Sequence, residues 1–320
     1  MLGRRIAILA GAAVALLAIG AAVTSSLGGG RTGLTRVDPN HLAVIDPKSD
    51  AVTAAAAVGA GPGPVATGDG SVWVANTTDR TVTHLDLRSG APLGTISLAN
   101  RTPTGLAVGN GSVWVANGHV GSVSHVDPGY AKVTTMLQLA GPSGDGTVAL
   151  GGGSLWAAFG DSTLARVDPG TRKTLGKELT RSIPSGLVYA LGSVWLANTS
   201  DETVTRYDPT TFTQGPAARI PVGHDPLAIA YGEGALWTAN ADGTVTRIDP
   251  AARTTATIRT GVAPAGVAAG AGAVWVAGAN GTVVRIDPTE RRVVKRIRLG
   301  NPAAGIAVGG GSVWVSIRSG

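Results

Sequence analysis

The sequence predicts an all-β protein: a seven-bladed β-propeller of four-stranded antiparallel blades. A blade shared between the chain ends closes the ring, and one N-terminal transmembrane helix precedes it. Two observations predict the ring and a third the helix. The phrase Gly-x-Gly-Ser-Val-Trp-Val-Ala-Asn, or a near copy, recurs around Trp73, Trp114, Trp156, Trp195, Trp237, Trp275 and Trp314, at intervals of 38 to 42 residues. An aspartate, usually followed by proline, keeps the same beat at Asp46, Asp86, Asp127, Asp168, Asp208, Asp249 and Asp287. A period near 40 residues with several short strands per unit marks a propeller or a related repeat array. The third observation is an uncharged stretch, residues 6–23, behind Arg4 and Arg5.

Taken in order, residues 1–5 read as a short cytoplasmic N-terminus. The eighteen residues 6–23 would span about 27 Å as a helix, close to the hydrocarbon thickness of a bilayer. The segment is longer than an ordinary signal-peptide core, and its nearby basic residues lie only on the N-terminal side, which places the rest of the chain outside the cell. An uncleaved signal anchor is therefore expected. Ala18-Ile19-Gly20 also fits a small-x-small cleavage site, so secretion after cleavage is the alternative. Residues 24–40 are expected to form a flexible stalk, and residues 41–320 the propeller.

Residues 103–140 show how one unit is built. Pro103-Thr-Gly-Leu-Ala-Val108 reads as a first strand, small enough to line a crowded axis. Asn110-Gly111 is a hairpin signal, because both residues tolerate positive φ. Ser112-Val-Trp-Val-Ala-Asn117 alternates about its Trp as a second strand, and Gly121-Ser-Val-Ser-His-Val-Asp127 gives the third. Asp127-Pro128 then reverses the chain, Asp suiting the first turn position and Pro the second. The fourth strand, residues 131–139, is the most polar, as an outer edge should be.

The chain ends are out of phase with this unit. Asp46 has no Trp strand before it, and the strand holding Trp314 has no Asp hairpin after it. Six whole units therefore run from about residue 64 to residue 300. Residues 41–59 supply a third and fourth strand, and residues 301–317 a first and second. Together they make the seventh blade, which leaves only short, protected edges.

Composition excludes several functions. There is no cysteine, hence no disulfide, thiol catalysis or cysteine-held metal. The formal charge of +6 is concentrated in one fourth strand at Arg291, Arg292, Lys295, Arg296 and Arg298. That run reads as edge protection or as a patch for an anionic partner such as a lipid head group, a cell-wall polymer or nucleic acid. No stacking aromatics or recognition helix accompany it, so nucleic acid is not an expected partner.

Five histidines and a set of loop acids and amides are the chemical candidates. His84 and His125 replace Arg166, Arg206, Arg247 and Arg285 of other units and read as structural; His41 lies at the stalk junction. His119 and His224 lie in loops on the face where second strands exit and the next unit begins. The same face collects Asn76, Asp79, Asn117, Asp161, Asn198, Asp201, Glu202, Asp225, Asn240 and Asp242. Loops on a rigid scaffold are where ligands bind, so these twelve residues form the candidate site for a protein or small-molecule ligand. Asn and Asp also serve as turn residues that satisfy their own backbone. No catalytic triad, metal-ligand spacing or phosphate loop appears, so no catalytic residue, metal or cofactor is predicted.

The phrases Gly-Ser-Val-Trp-Val-Ala-Asn, Thr244-Val-Thr-Arg-Ile-Asp-Pro250, Pro184-Ser-Gly-Leu-Val188 and Pro302-Ala-Ala-Gly-Ile-Ala-Val-Gly309 resemble the YVTN/YncE-type propeller repeats of bacteria and archaea, over residues 41–320. That resemblance implies an extracytoplasmic sensing or binding module. The chain also resembles, more distantly, the streptogramin (virginiamycin B) lyases, which have a Trp strand in each of seven blades. Theirs continues Phe-Thr-Glu where this one continues Val-Ala-Asn. That resemblance implies, as an alternative, metal-dependent elimination by channel-mouth histidines; quinoprotein-type propellers are a further cousin. The expected function is a membrane-tethered binding scaffold.

Overall fold

Each repeat folds into four strands because its sequence supplies a reversal at every junction. The computed structural model describes residues 33–320, and the predicted transmembrane segment lies outside the described residues. Between first and second strands the chain turns on left-handed residues such as Asn110 (φ 56°) and Gly111 (φ 69°), the backbone a two-residue hairpin requires. Between third and fourth strands the aspartate does the work. Asp127 Oδ1 accepts the N–H groups of Gly129 and Tyr130 at 2.9 and 3.1 Å. Asp86 does the same with Arg88 and Ser89, so that turn forms without a proline. Backbone donors of this kind hold the carboxyls of Asp86, Asp168, Asp208, Asp249 and Asp287 below the usual carboxylate range.

The strands assemble into seven four-stranded antiparallel sheets. Blades 1 to 6 occupy residues 62–97, 105–138, 146–179, 184–221, 226–259 and 264–298. Blade 7 is composite: Ala303–Gly309 lies innermost, then Ser312–Ile317, then His41–Asp46, with Ala51–Ala57 outermost. The joint between the chain ends is a five-residue register, from His41 opposite Ile317 to Ile45 opposite Val313. The expected ring and its shared blade are both present.

The core sits between blades. All seven Trp side chains are 0–2 % exposed, and each packs against the following blade. Trp73 lies with Val113, Val115 and Val126 of blade 2, and Trp237 with Val274, Val276 and Ile286 of blade 6. Trp314 packs on Val72, Val74 and Leu85 of blade 1, which completes the circle. The third strand supplies a cap for most of these rings. His84 stacks on Trp73 at 3.9 Å between centroids, His125 packs tilted on Trp114, and Arg166, Arg206, Arg247 and Arg285 lie over the next four Trp rings at 5.4–5.9 Å.

The Ser two residues before Trp anchors that cap. Ser71 and Ser112 bond His84 and His125 Nε2, and Ser154 and Ser193 accept from Arg166 and Arg206 Nε. In blade 6 this position is Ala273, and Arg285 Nε is buried without a partner. Restoring the acceptor with Ala273→Ser is therefore expected to stabilise the ring by about 1 kcal/mol. A denaturant midpoint no higher than that of the wild type would contradict it.

The segment before the ring departs from expectation. Residues 33–40, assigned to the flexible stalk, are packed onto it. Val37 is buried in a cluster with Val52, Ile297 and Leu299. Leu34 N–H donates to Val52 O at 2.8 Å, Val37 N–H to Leu299 O at 2.9 Å, and Asn301 Nδ2 to Val37 O at 2.8 Å. The segment fills the gap between the outer strands of blades 6 and 7, a groove that only tertiary structure creates.

Candidate functional site

On one face, the loop leaving the second strand of a blade meets the loop that enters the same blade, and the acids expected there clip the two together. Asp79 accepts the N–H of Ala60 at 2.7 Å, and Asp161 that of Gly141 at 2.8 Å. Asp201 accepts the hydroxyl of Ser182 at 2.9 Å, and Asp242 the N–H of His224 at 3.4 Å. The other oxygen of Asp161 and of Asp242 is turned back to its own third strand, to Thr163 and Thr244. These carboxylates rigidify the face. Ser182, Ser200 and Arg219, which also engage Asp201 or its loop, escaped the sequence reading because they stand in no repeat position.

The four asparagines are a correction. Asn76, Asn117, Asn198 and Asn240 are buried at 0–1 % exposure, so they are closed to a ligand on this face. Each sends Nδ2 to a pair of hydroxyls on the neighbouring third strand: Thr81 and Thr83, Ser122 and Ser124, Thr203 and Thr205, Thr244 and Thr246. Their Oδ1 atoms have no protein partner. The amides pin the exit of the Trp strand to the strand beside it, deep within blades 1, 2, 4 and 5.

The histidines divide in two. His119 is exposed on the single 3-10 turn Gly118–Val120 of blade 2. His224, between blades 4 and 5, places Nδ1 2.5 Å from Glu202 Oε1 and Nε2 3.3 Å from Asp225 Oδ2. The structure therefore unites His224 with Glu202, Asp225 and Asp242, and gives no contact between it and His119. The Glu202 bond and then the charge of Asp225 raise the pKa of His224. Among the described residues, no group of three or more His, Cys, Asp or Glu side chains is placed to hold a metal ion.

Inside the face runs the axial channel, about 440 Å³, lined by the first strands of all seven blades. Leu106, Val148, Leu187, Ile229 and Ile306 give it apolar walls, Thr104 and Ser185 add hydroxyls, and Arg318 supplies its one charged lining residue. Both hydroxyls are spent on backbone carbonyls of the next blade, Gly146 and Pro226. The arrangement is a rigid, mixed-charge rim around a narrow bore in which apolar side chains alternate with hydroxyl and backbone polar groups.

Comparison with solved structures agrees with this geometry. The structure of U3-55K superposes with a TM-score of 0.67 at 13 % identity, covering 91 % of this chain and 97 % of that one. The Neurospora crassa Pan2 WD40 domain gives 0.66 at 12 %, covering 88 % and 98 %. Kuenenia stuttgartiensis hydrazine synthase gives 0.66 at 14 %, covering 78 % and 89 %. The chain is a seven-bladed propeller with WD40-like structural neighbours. No protein-family model matches it, and no curated protein sequence does. Among the described residues, no helix is long and apolar enough to cross a membrane.

The propeller's histidines give it a pH dependence with a definite sign. Burial pushes the pKa values of His84 and His125 down. A depressed histidine pKa makes the unfolded chain the better proton acceptor, so stability is full above about pH 6.5 and falls as pH drops below it. His224 has the opposite sign: its raised pKa adds stability at low pH that is lost as pH rises through that value. It is exposed and screened, so half-buried His84 and buried His125 should dominate. Melting of the wild type is expected to fall between about pH 7 and 5. The double variant His84→Arg, His125→Arg, which carries the side chain of the other blades, should lose most of that slope. Parallel curves for the two proteins would refute the assignment.

Proposed function

We propose that the chain is a membrane-tethered, extracytoplasmic propeller that binds a protein or small-molecule ligand through its loop face. The observation that carries this is the clipping of neighbouring loops by Asp79, Asp161, Asp201 and Asp242. It fixes the surface around the channel mouth before any ligand arrives, which reduces the ordering cost of binding. His119, Glu202, His224 and Asp225 remain at the surface to contact a ligand there. The tether is the uncharged segment 6–23.

The test uses the full chain in a thermal-shift ligand screen and an affinity pull-down. His119→Ala and Glu202→Gln/His224→Ala are the comparison proteins. A ligand or partner retained by the wild type should bind at least about tenfold more weakly to one of these variants, with melting unchanged. A partner held equally by all three proteins would place binding elsewhere. The tether is tested separately: release of the full chain from membranes by alkaline carbonate would sink it.

A further inference from the structure

The least balanced charge on the ring lies away from the loop face, on the outer strand of blade 6, Arg292–Arg298. Arg291, Arg292, Lys295, Arg296 and Arg298 are all exposed, and of these five only Arg292 forms a salt bridge, to Glu290 at 2.5 Å. Edge protection alone does not account for the pattern, because it would put charge on every outer strand. The outer strands Ala51–Ala57 of blade 7 and Pro92–Ser97 of blade 1 carry none.

A second observation tells what this rim faces. Residues 33–37 join the ring at the same place, bonded to the outer strand of blade 7 at Val52 and to Leu299 just after the basic strand. Arg36 packs across Gly300 and adds a sixth cation to the patch. Leu34, 47 % exposed, and Val294, 39 % exposed, place apolar side chains among the charges. Residues 24–32 can reach at most about 30 Å when fully extended. A segment 6–23 that crosses a bilayer would therefore keep this rim close to the head groups, where an anionic surface attracts each cation within a Debye length.

We propose that the outer rim of blade 6 docks on the anionic lipid surface of the bilayer to which the chain is tethered. Arg36, Arg292, Lys295, Arg296 and Arg298 meet lipid phosphates, and Leu34 and Val294 enter the interface. The ring then stands on its edge and turns its loop face sideways, open to partners. The inference rests on the tethering reading above. Lipid is favoured over nucleic acid because apolar side chains and the chain's point of attachment share the patch, and no aromatic side chain on the strand offers a base a stacking surface.

The sequence has no cysteine, so single-cysteine variants of the full chain can be labelled at one site. A fluorophore at Val294→Cys is compared with one at Leu175→Cys, a 53 % exposed position on the outer strand of blade 3. The proteins are reconstituted in phosphatidylcholine vesicles with or without phosphatidylglycerol, and a lipid-borne quencher reports proximity. Quenching at 294 is expected only with phosphatidylglycerol. It should fall about tenfold or more in the variant Arg292→Gln/Lys295→Gln/Arg296→Gln/Arg298→Gln, whose near-ultraviolet dichroism checks the fold. Equal quenching at 294 and 175, or quenching that survives the four substitutions, would overturn the proposal. So would duplex DNA displacing the vesicles from the basic strand. If the chain fails to insert, the tether is wrong and flotation decides the rim alone: phosphatidylglycerol vesicles that carry the wild type but not the quadruple variant support it, and vesicles that carry neither overturn it.

Discussion

Removal of residues 301–320 is expected to abolish the cooperative thermal transition of the whole ring, not of one blade. The deleted strands contribute Ile306, Val313, Trp314, Val315 and Ile317, all buried. At about 1.5–3 kcal/mol for each buried side chain, their loss amounts to roughly 7–15 kcal/mol. That matches the entire stability of a typical domain, about 5–15 kcal/mol. The truncation also strips the strand His41–Asp46 of its five-residue partner register and uncovers Val72, Val74 and Leu85 of blade 1. Calorimetry of the truncated chain should show no transition, or a broad one far below that of the intact protein. Deleting only residues 318–320, which follow the last strand, should leave the melting temperature nearly unchanged. A truncated ring with wild-type melting would mean that closure does not hold the propeller together.

The ring was legible because its determinants repeat. The Trp strand and the Asp turn are local signals in fixed phase, and their phase offset at the two ends is what reveals a blade made from both. The asparagines show where reading failed. Asn76 and its counterparts look like loop residues, since they sit last in the strand, and by sequence alone they belong with the ligand face. Yet the repeats hold the answer. Where the Trp strand ends in Asn, the third strand places hydroxyls at both inward positions, as in Thr81-Val-Thr83. Where it ends in Phe159, Gly278 or Ile317, the second hydroxyl gives way to Ala165, Val284 or Ala43, each opposite the same second-strand position. Comparing repeats with one another would have found a buried amide–hydroxyl network.

The loop acids are visible in the sequence as residues that follow the Trp strands, but their engagement with donors of the adjoining loops is a property of blade geometry. The docking of Val37 was invisible for a related reason. Its site is formed by Val52 and Leu299, far apart in sequence and adjacent only once the ring has closed. Sequence thus displays the elements and their order, while the contacts that decide which polar groups remain free depend on blades meeting.

The clearest case is a pair of glycines at the inner strands, one repeat apart, that differ only in what the next blade presents. A Cβ at Gly305 would lie 3.0 Å from the carbonyl carbon of Gly63 and 3.1 Å from Pro64 Cα, with the Gly63 oxygen closer still. These are backbone atoms of blade 1 and cannot turn aside. Ser316 stitches the same seam, accepting from Gly305 N at 2.8 Å and donating to Gly63 O at 2.7 Å. At Gly266 the nearest atoms to an added Cβ are Ile306 Cγ2 at 3.4 Å and Ala304 O at 3.6 Å, ordinary contact distances. Gly305→Ala is therefore expected to cost about 1–3 kcal/mol by forcing blades 7 and 1 apart, a fall of roughly 2–10 °C in melting temperature. Gly266→Ala should be neutral or stabilise by up to about 1 kcal/mol, since the substitution removes only backbone freedom from the unfolded chain. Scanning calorimetry on the two variants separates the cases. Equal shifts would show that the joint between blades 7 and 1 is packed no more tightly than the joint between blades 6 and 7.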